Sequence, residues 1–292
     1  MPALTPHEAR IAADGAACMD MLREHDSDRY YSTLFAPADK RANLVALYAF
    51  NAEIVQVRRR VSEPLPGEVR LQWWRDTIAA SASLDMAAKS DTGHPVAVSL
   101  LRTIQRFRLP HSAFEALIDA HVFDLYSDPM PCLADLEGYA GETSSALIRL
   151  ASLILADGTD PGPADAAGHA GVAIALTDLL RGFAFDAAHG HVLLPADVMA
   201  RHGVTCEAVL RGQRQQGLSD VLGEMRLLAR HHIAEFRAVQ GALPKQVVPA
   251  FLPVQLCEPY LRQMDASDYD PFRSRIERMP LARLWTLWRG IA

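Results

Sequence analysis

The chain has 292 residues, half of them apolar, and a formal net charge of −6. That composition suits a soluble globular protein, and the acidic balance argues against a nucleic-acid partner, which needs a broad basic face. No uncharged apolar run reaches the ~20 residues of a spanning helix, and residues 1–22 lack the continuous apolar centre of an export signal. The expected location is therefore cytoplasmic, with peripheral contact at the inner face of a membrane still compatible.

Helical periodicity dominates, and alternating strand patterns are scarce. Thr5, Pro6 and Glu8 have the spacing of a capping box with proline at the first helical position, which predicts a helix to about residue 23. Pro37 can open a second helix that continues through Leu47, Phe50, Ile54 and Val57. Pro64 and Pro66 are read as an interruption before a third helix carrying Leu71, Trp74 and Ile78, and the small, polar residues 81–93 as a loop. Pro95 opens a helix through Phe107, and Pro110 separates it from a helix over 111–126. A helix over 133–156 follows, then a turn at 158–162 and a long, alanine-rich helix over 163–187. A helix apolar on nearly every side belongs in the middle of a bundle. After an irregular stretch at 189–195, further helices are expected over 205–210, 219–243, 246–264 (interrupted by Pro249, Pro253 and Pro259) and from Pro280. Proline and glycine mark helix ends rather than a domain boundary, so residues 1–292 read as a single all-α domain.

Cys18, Cys132, Cys206 and Cys257 are widely spaced with no CxxC pair, the pattern of scattered reduced thiols rather than a zinc site. The histidines, including adjacent His231 and His232, lack HExxH spacing and read as ordinary surface or core residues.

Two helical segments carry the main functional signal. The first is LYAFNAEIVQVRRR at 47–60, and the second is LTDLLRGFAFD at 176–186, followed by Gly190 and Leu193-Leu194-Pro195. With Ser27-Asp28-Arg29-Tyr30, Lys40-Arg41, Trp74, Asp76 and the run Tyr139 to Ser145, they form an ordered set that resembles the squalene/phytoene synthase family over most of the chain. The resemblance implies an isoprenoid-synthase-type helical bundle around a central cavity. Working members of that family join two allylic diphosphates head to head, with acids on two facing helices holding Mg²⁺ against the diphosphate. The chemistry needs this arrangement because diphosphate leaves poorly until a Lewis acid neutralises it. Mg²⁺ takes oxygen ligands, and carboxylates at i and i+3 or i+4 share one helix face.

The acids the resemblance leads one to expect are scarce. On the first helix they would fall near Val55, Gln56 and Arg59; the chain has Glu53 upstream and then Arg58, Arg59 and Arg60. On the second they would fall near Gly182, Phe185 and Asp186; only Asp186 is present, with Asp178 two turns away. Guanidinium groups close by disfavour a divalent cation. If the chain is active, the metal ligands would be Glu53, Asp178 and Asp186, and the cofactor Mg²⁺; otherwise no cofactor is expected.

Tyr48, Phe50, Glu53, Tyr139, Thr143, Ser144, Asp178 and Asp186 are the cavity or ligand-binding candidates. Tyr139, Thr143 and Ser144 match a helix break that lines the cavity in working members, which Gly138 and Gly141 would permit; the alternative is that small residues there allow close packing. Arg41, Arg58 and Arg59 are candidate phosphate ligands, because guanidinium forks suit phosphate oxygens. Arg181, among apolar neighbours, is expected to pair with a carboxylate, and Trp73 and Trp74 to serve as core or rim.

The scarcity of acids at both motifs resembles the branch of the family that includes a mitochondrial complex I assembly factor. That likeness implies a non-catalytic or altered protein, with a respiratory-complex subunit or assembly partner, or an isoprenoid or lipid ligand. The alternative is an active prenyltransferase condensing prenyl diphosphates.

Overall fold

The computed structural model describes residues 5–80, 93–162 and 164–291; most of the expected loop at 81–93, and Pro163, lie outside the described residues. The described residues form helices and connecting turns, with no strand among them. None of these helices is long and apolar enough to cross a membrane. All four cysteines are free thiols. The chain divides into two compact units that interleave along the sequence.

The first unit comprises residues 1–125, 149–161 and 244–250. It holds α1 (Pro6–His25), α2 (Ser27–Thr33), α3 (Ala38–Arg59), α4 (Pro64–Ala80), α5 (Pro95–Phe107) and α6 (His111–Ala120). The capping box at the start of α1 is formed. The Glu8 amide donates to Thr5 Oγ1 at 3.3 Å, and the Thr5 amide donates to Glu8 Oε2 at 2.8 Å. α3 packs against α1 and α5, burying Leu44, Leu47, Tyr48, Phe50 and Ile54. Phe50 stands edge-to-face with Trp74 at 5.1 Å and with Phe114 at 5.6 Å. Side chains of this size contribute about 1.5–3 kcal/mol each on full burial.

Two expectations fail in this unit. Pro64 and Pro66 do not precede α4; they lie in its first turn, where the missing amide hydrogens have no helical partner to lose. α6 ends at Ala120, not at Tyr126, and a separate 3₁₀ turn covers Phe123–Leu125. The turn after residue 155 is also constrained: Gly158 has φ +81°, and a Cβ there would sit 2.5 Å from the Phe107 carbonyl oxygen.

The second unit comprises residues 126–148, 162–243 and 251–292. It holds α7 (Leu133–Ala140), a five-residue π-helical segment (Gly141–Ser145), the first residues of α8 (Ala146–Leu155), and the 25-residue α9 (Ala164–Ala188). It continues with α10 (Ala196–Arg201), α11 (Cys206–Leu210), α12 (Leu218–Val239), α14 (Val254–Met264) and α15 (Pro280–Arg289). The one-turn α13 (Val248–Phe251) precedes α14. α9 packs against α12, α14 and the π-helical segment. It does so with alanine and glycine at many buried positions, among them Ala166, Ala170, Gly171 and Ala173, which lets neighbouring backbones approach.

Here too the structure redraws some elements. The expected helix over 133–156 is split by the π-helical segment. The helix expected over 219–243 is α12, which stops at Val239 before a 3₁₀ turn. The region over 246–264 is broken ahead of Val254, as its prolines predict, into Lys245–Val247, α13 and α14, but Pro259 does not interrupt it and lies inside α14. α2 and α10 have no counterpart in the periodicity, being too short to show one.

Candidate functional site

The first motif lies on α3. Tyr48 and Phe50 belong to the core of the first unit, at 2% and 0% exposure. Burial pushes the Tyr48 phenol well above its ordinary range, so it stays neutral at physiological pH. The Arg29 guanidinium lies 6.0 Å from the Tyr48 ring centre and donates to Asp26 Oδ2 at 2.6 Å. Glu53 does not stand alone as a candidate ligand. Its Oε2 accepts from Arg60 Nη1 at 2.8 Å, and its side chain is only 10% exposed. The residue that ends α3 thus folds back to neutralise the one acid of the motif. Gln56 is buried, Arg58 is half-buried, and Val55 and Arg59 are exposed.

Arg41 is engaged by backbone carbonyls. Its guanidinium donates to the carbonyls of Thr33, Leu34 and Ala36, each at 3.1 Å, closing the C-terminal end of α2. Such carbonyls have no partner within their own helix. Its neighbour Lys40 is buried beside Asp157 and lies 5.1 Å from the Phe107 ring centre.

The second motif lies on α9. Asp178 is exposed and accepts from Arg181 Nη1 at 3.0 Å. The Arg181 guanidinium also covers the Tyr260 ring at 3.9 Å from its centre, so the expected carboxylate pairing of Arg181 is met. Tyr260 is fully buried, and its hydroxyl accepts from Arg283 Nε at 3.2 Å. Asp186 is half-buried, eight residues from Asp178, which is about 12 Å along a helix axis. Between them stand Gly182 and the exposed Phe185, whose ring stacks on His189 at 4.0 Å.

The helix break expected around Tyr139, Thr143 and Ser144 is present as the π-helical segment. Thr143 Oγ1 donates to the Tyr139 carbonyl at 2.7 Å, and Ser145 Oγ donates to the Gly168 carbonyl at 3.1 Å. The close approach here depends on Gly171. A Cβ at that position would lie 2.4 Å from the Ser145 amide nitrogen, whereas a Cβ on Gly138 or Gly141 would meet nothing within 4 Å. The helix is irregular here, as expected, but the close packing does not depend on Gly138 or Gly141. The small residue that matters lies on α9.

Sequence reasoning missed one polar cluster in this unit. His232 on α12 sits between His169 on α9 and Glu137 on α7. Its Nδ1 is 3.0 Å from His169 Nδ1, and its Nε2 is 3.0 Å from Glu137 Oε1. Burial, the largest influence, holds the His232 imidazole below its ordinary value of 6.5, against the opposing pull of Glu137. No motif links residues so far apart in sequence; a half-apolar helix carrying His232 was the only cue. A cleft of about 450 Å³ also opens in this unit, lined by Leu222, Arg226, Met264, Tyr269 and Phe272 among others. None of the residues singled out from the sequence lines it.

The donor set is a poor match to a magnesium–diphosphate centre. Glu53 and Asp178 are each occupied by an arginine of their own neighbourhood. Among the described residues, no group of three or more His, Cys, Asp or Glu side chains is placed to hold a metal ion.

The family profile for squalene/phytoene synthase matches residues 22–285. The chain belongs to that family. Two relatives described as "NADH dehydrogenase (ubiquinone) complex I, assembly factor 6", from Bos taurus and Homo sapiens, are 31% and 30% identical to this family member over 277 residues. Each alignment covers 93% of this chain and 81% of the relative. A presqualene diphosphate synthase from Zymomonas mobilis is 27% identical, covering 90% of this chain and 88% of that protein. In three dimensions, the squalene/phytoene synthase fold of the chain aligns with a squalene synthase from Alicyclobacillus acidocaldarius. The TM-score is 0.73 at 19% identity, covering 92% of this chain and 98% of that one. A dehydrosqualene synthase solved with a ligand aligns with TM-score 0.74 at 18% identity, over 96% of each chain. The expected all-α isoprenoid-synthase-type fold is therefore the observed one.

Proposed function

We propose that this squalene/phytoene synthase family member does not ionise prenyl diphosphates and acts in the assembly or maturation of a respiratory complex of the NADH–ubiquinone type. It would work through contact with a subunit of that complex, with an isoprenoid or lipid chain as a retained ligand. The observation that carries the reading is the pairing of Glu53 with Arg60 and of Asp178 with Arg181. A diphosphate leaving group needs divalent cations held by several carboxylates, and these helices offer guanidinium groups instead. The relatives described as complex I assembly factors, aligned along 93% of the chain, supply the alternative employment. Because the family match spans parts of both units, the chain is taken to act as one functional domain. Arg58 and Arg59, in the last turn of α3, are the proposed phosphate ligands, because guanidinium forks suit phosphate oxygens.

The test has two arms. Purified protein incubated with farnesyl or geranylgeranyl diphosphate and Mg²⁺ should release no pyrophosphate. Turnover that disappears in Asp186→Ala would instead establish a prenyltransferase using Glu53, Asp178 and Asp186, the reading that the presqualene diphosphate synthase relative favours. In the host, deletion should lower the amount of assembled NADH–quinone oxidoreductase on native gels. Wild-type protein and Asp186→Ala should restore it equally.

A further inference from the structure

The final described helix, α15, turns three large apolar side chains outward. Leu281, Trp285 and Trp288 are 78%, 59% and 51% exposed, and their spacing of four and three residues puts them on one helix face. Met279 just before the helix and Ile291 just after it extend the strip and are exposed too. The two indoles lie against each other with centres 5.1 Å apart. The opposite face is fixed to the fold by buried Leu287 and by Arg283, which donates to Tyr260. An outward strip this apolar marks a docking surface rather than a solvated helix.

Charge identifies the occupant. Between residues 271 and 291 the chain has five basic residues (Arg273, Arg275, Arg278, Arg283, Arg289) and one acid, Glu277. That segment therefore carries 5 − 1 = +4, leaving −6 − 4 = −10 for the remainder of the chain. Arg289 is exposed and adjoins the strip, about 40° around the helix from Trp285 on a 100°-per-residue wheel. The Arg273 and Arg275 side chains are 84% and 83% exposed, Arg275 pairing with Glu277 at 2.7 Å and Arg273 lying 4.0 Å from Asp270. Indole rings favour the boundary between headgroups and acyl chains, with arginines among the headgroups.

We propose that α15 is a membrane-docking element that lies flat on an anionic lipid surface, with Leu281, Trp285 and Trp288 in the interface and Arg289 against the headgroups. The acidic remainder of the chain is repelled by the same surface, so the contact also orients the protein.

Flotation of the full chain with vesicles tests this. Vesicles of phosphatidylcholine with three-tenths phosphatidylglycerol should carry the protein, and pure phosphatidylcholine should carry much less. Trp285→Ser/Trp288→Ser should lower the bound fraction about tenfold, with an unchanged thermal melt showing that it folds. Arg289→Glu should abolish the preference for the anionic vesicles while leaving a residue of binding to both. Raising the salt should weaken the wild type more than the Arg289→Glu variant. The proposal is overturned if neither vesicle carries the protein or if the double variant floats as well as the wild type. A lipid-free dimer that the double variant turns into a monomer would overturn it as well.

Discussion

α3 and α9 carry corresponding motifs but are built on opposite plans. α3 fills its surroundings with bulk: Tyr48, Phe50 and Ile54 are fully buried, and Phe50 wedges between Trp74 and Phe114. α9 packs by omission, with Gly171 admitting the π-helical segment to within a distance that no side chain would tolerate. Their charges differ as well. On α3 the acid is nearly buried and neutralised by an arginine from the helix end, while on α9 Asp178 is half-exposed and paired one turn away. Two unlike routes thus reach one result, a helix whose carboxylates are not gathered for a cation.

The sharpest break in this comparison comes from packing. Gly171→Leu should unfold the second unit or cost at least about 3 kcal/mol, because its neighbour is the Ser145 backbone, which cannot rotate away. Phe50→Ala should cost a similar ~3–5 kcal/mol through a cavity instead. Chemical denaturation measures both. A Gly171→Leu protein as stable as the wild type would mean the two helices are not packed on different plans.

Next come the ion pairs. Glu53→Gln should destabilise by about 1–3 kcal/mol, since it leaves the Arg60 guanidinium against a partly buried neutral group. Asp178→Asn, at a pair whose acid is half-exposed, should cost no more than about 1 kcal/mol. Equal losses in the two variants would erase the electrostatic half of the contrast.

A smaller effect should appear in the pH dependence of stability. His232 is held below 6.5 by burial, so near that pH the unfolded chain binds more protons than the folded one. The stability it contributes is complete above 6.5 and is lost as pH falls from there through the lower folded value. A wild-type melting temperature that declines below pH 6.5, and a shallower decline in His232→Gln, is the expected outcome. Glu137→Gln should lower the folded value further, so the decline still begins near pH 6.5 but continues to more acid pH and is larger in total. The smallest effect concerns metal: millimolar Mg²⁺ or Mn²⁺ should leave the melting temperature unchanged, because a ligand stabilises only the state that binds it.

Three helices of the first unit were legible because their signals are local. Pro37 stands directly before α3, Pro95 opens α5, and Thr5, Pro6 and Glu8 make a cap that needs no tertiary help. The composition of the motifs was also visible directly: near the positions where the family resemblance leads one to expect acids stand Val55, Gln56, Arg59, Gly182 and Phe185. Elements of one or two turns left no trace, since a period of 3.6 residues cannot show itself in α2 or α10. Pro64 and Pro66 were misplaced because proline both stops a helix and starts one, and only the surrounding chain distinguishes the two.

From the sequence alone came the all-helical class, the family resemblance and the poverty of acids at both motifs, all of which depend on residue identity and short-range spacing. Tertiary structure decided which charges meet. Glu53 receives Arg60 from the end of its own helix, Arg41 closes α2, and His232 is drawn between Glu137 and His169 across three helices. It also turned Leu281, Trp285 and Trp288 outward on α15. The reason is that an apolar residue or a charge acquires its role from what lies within a few ångströms, and a folded chain brings together neighbours that its linear order keeps apart.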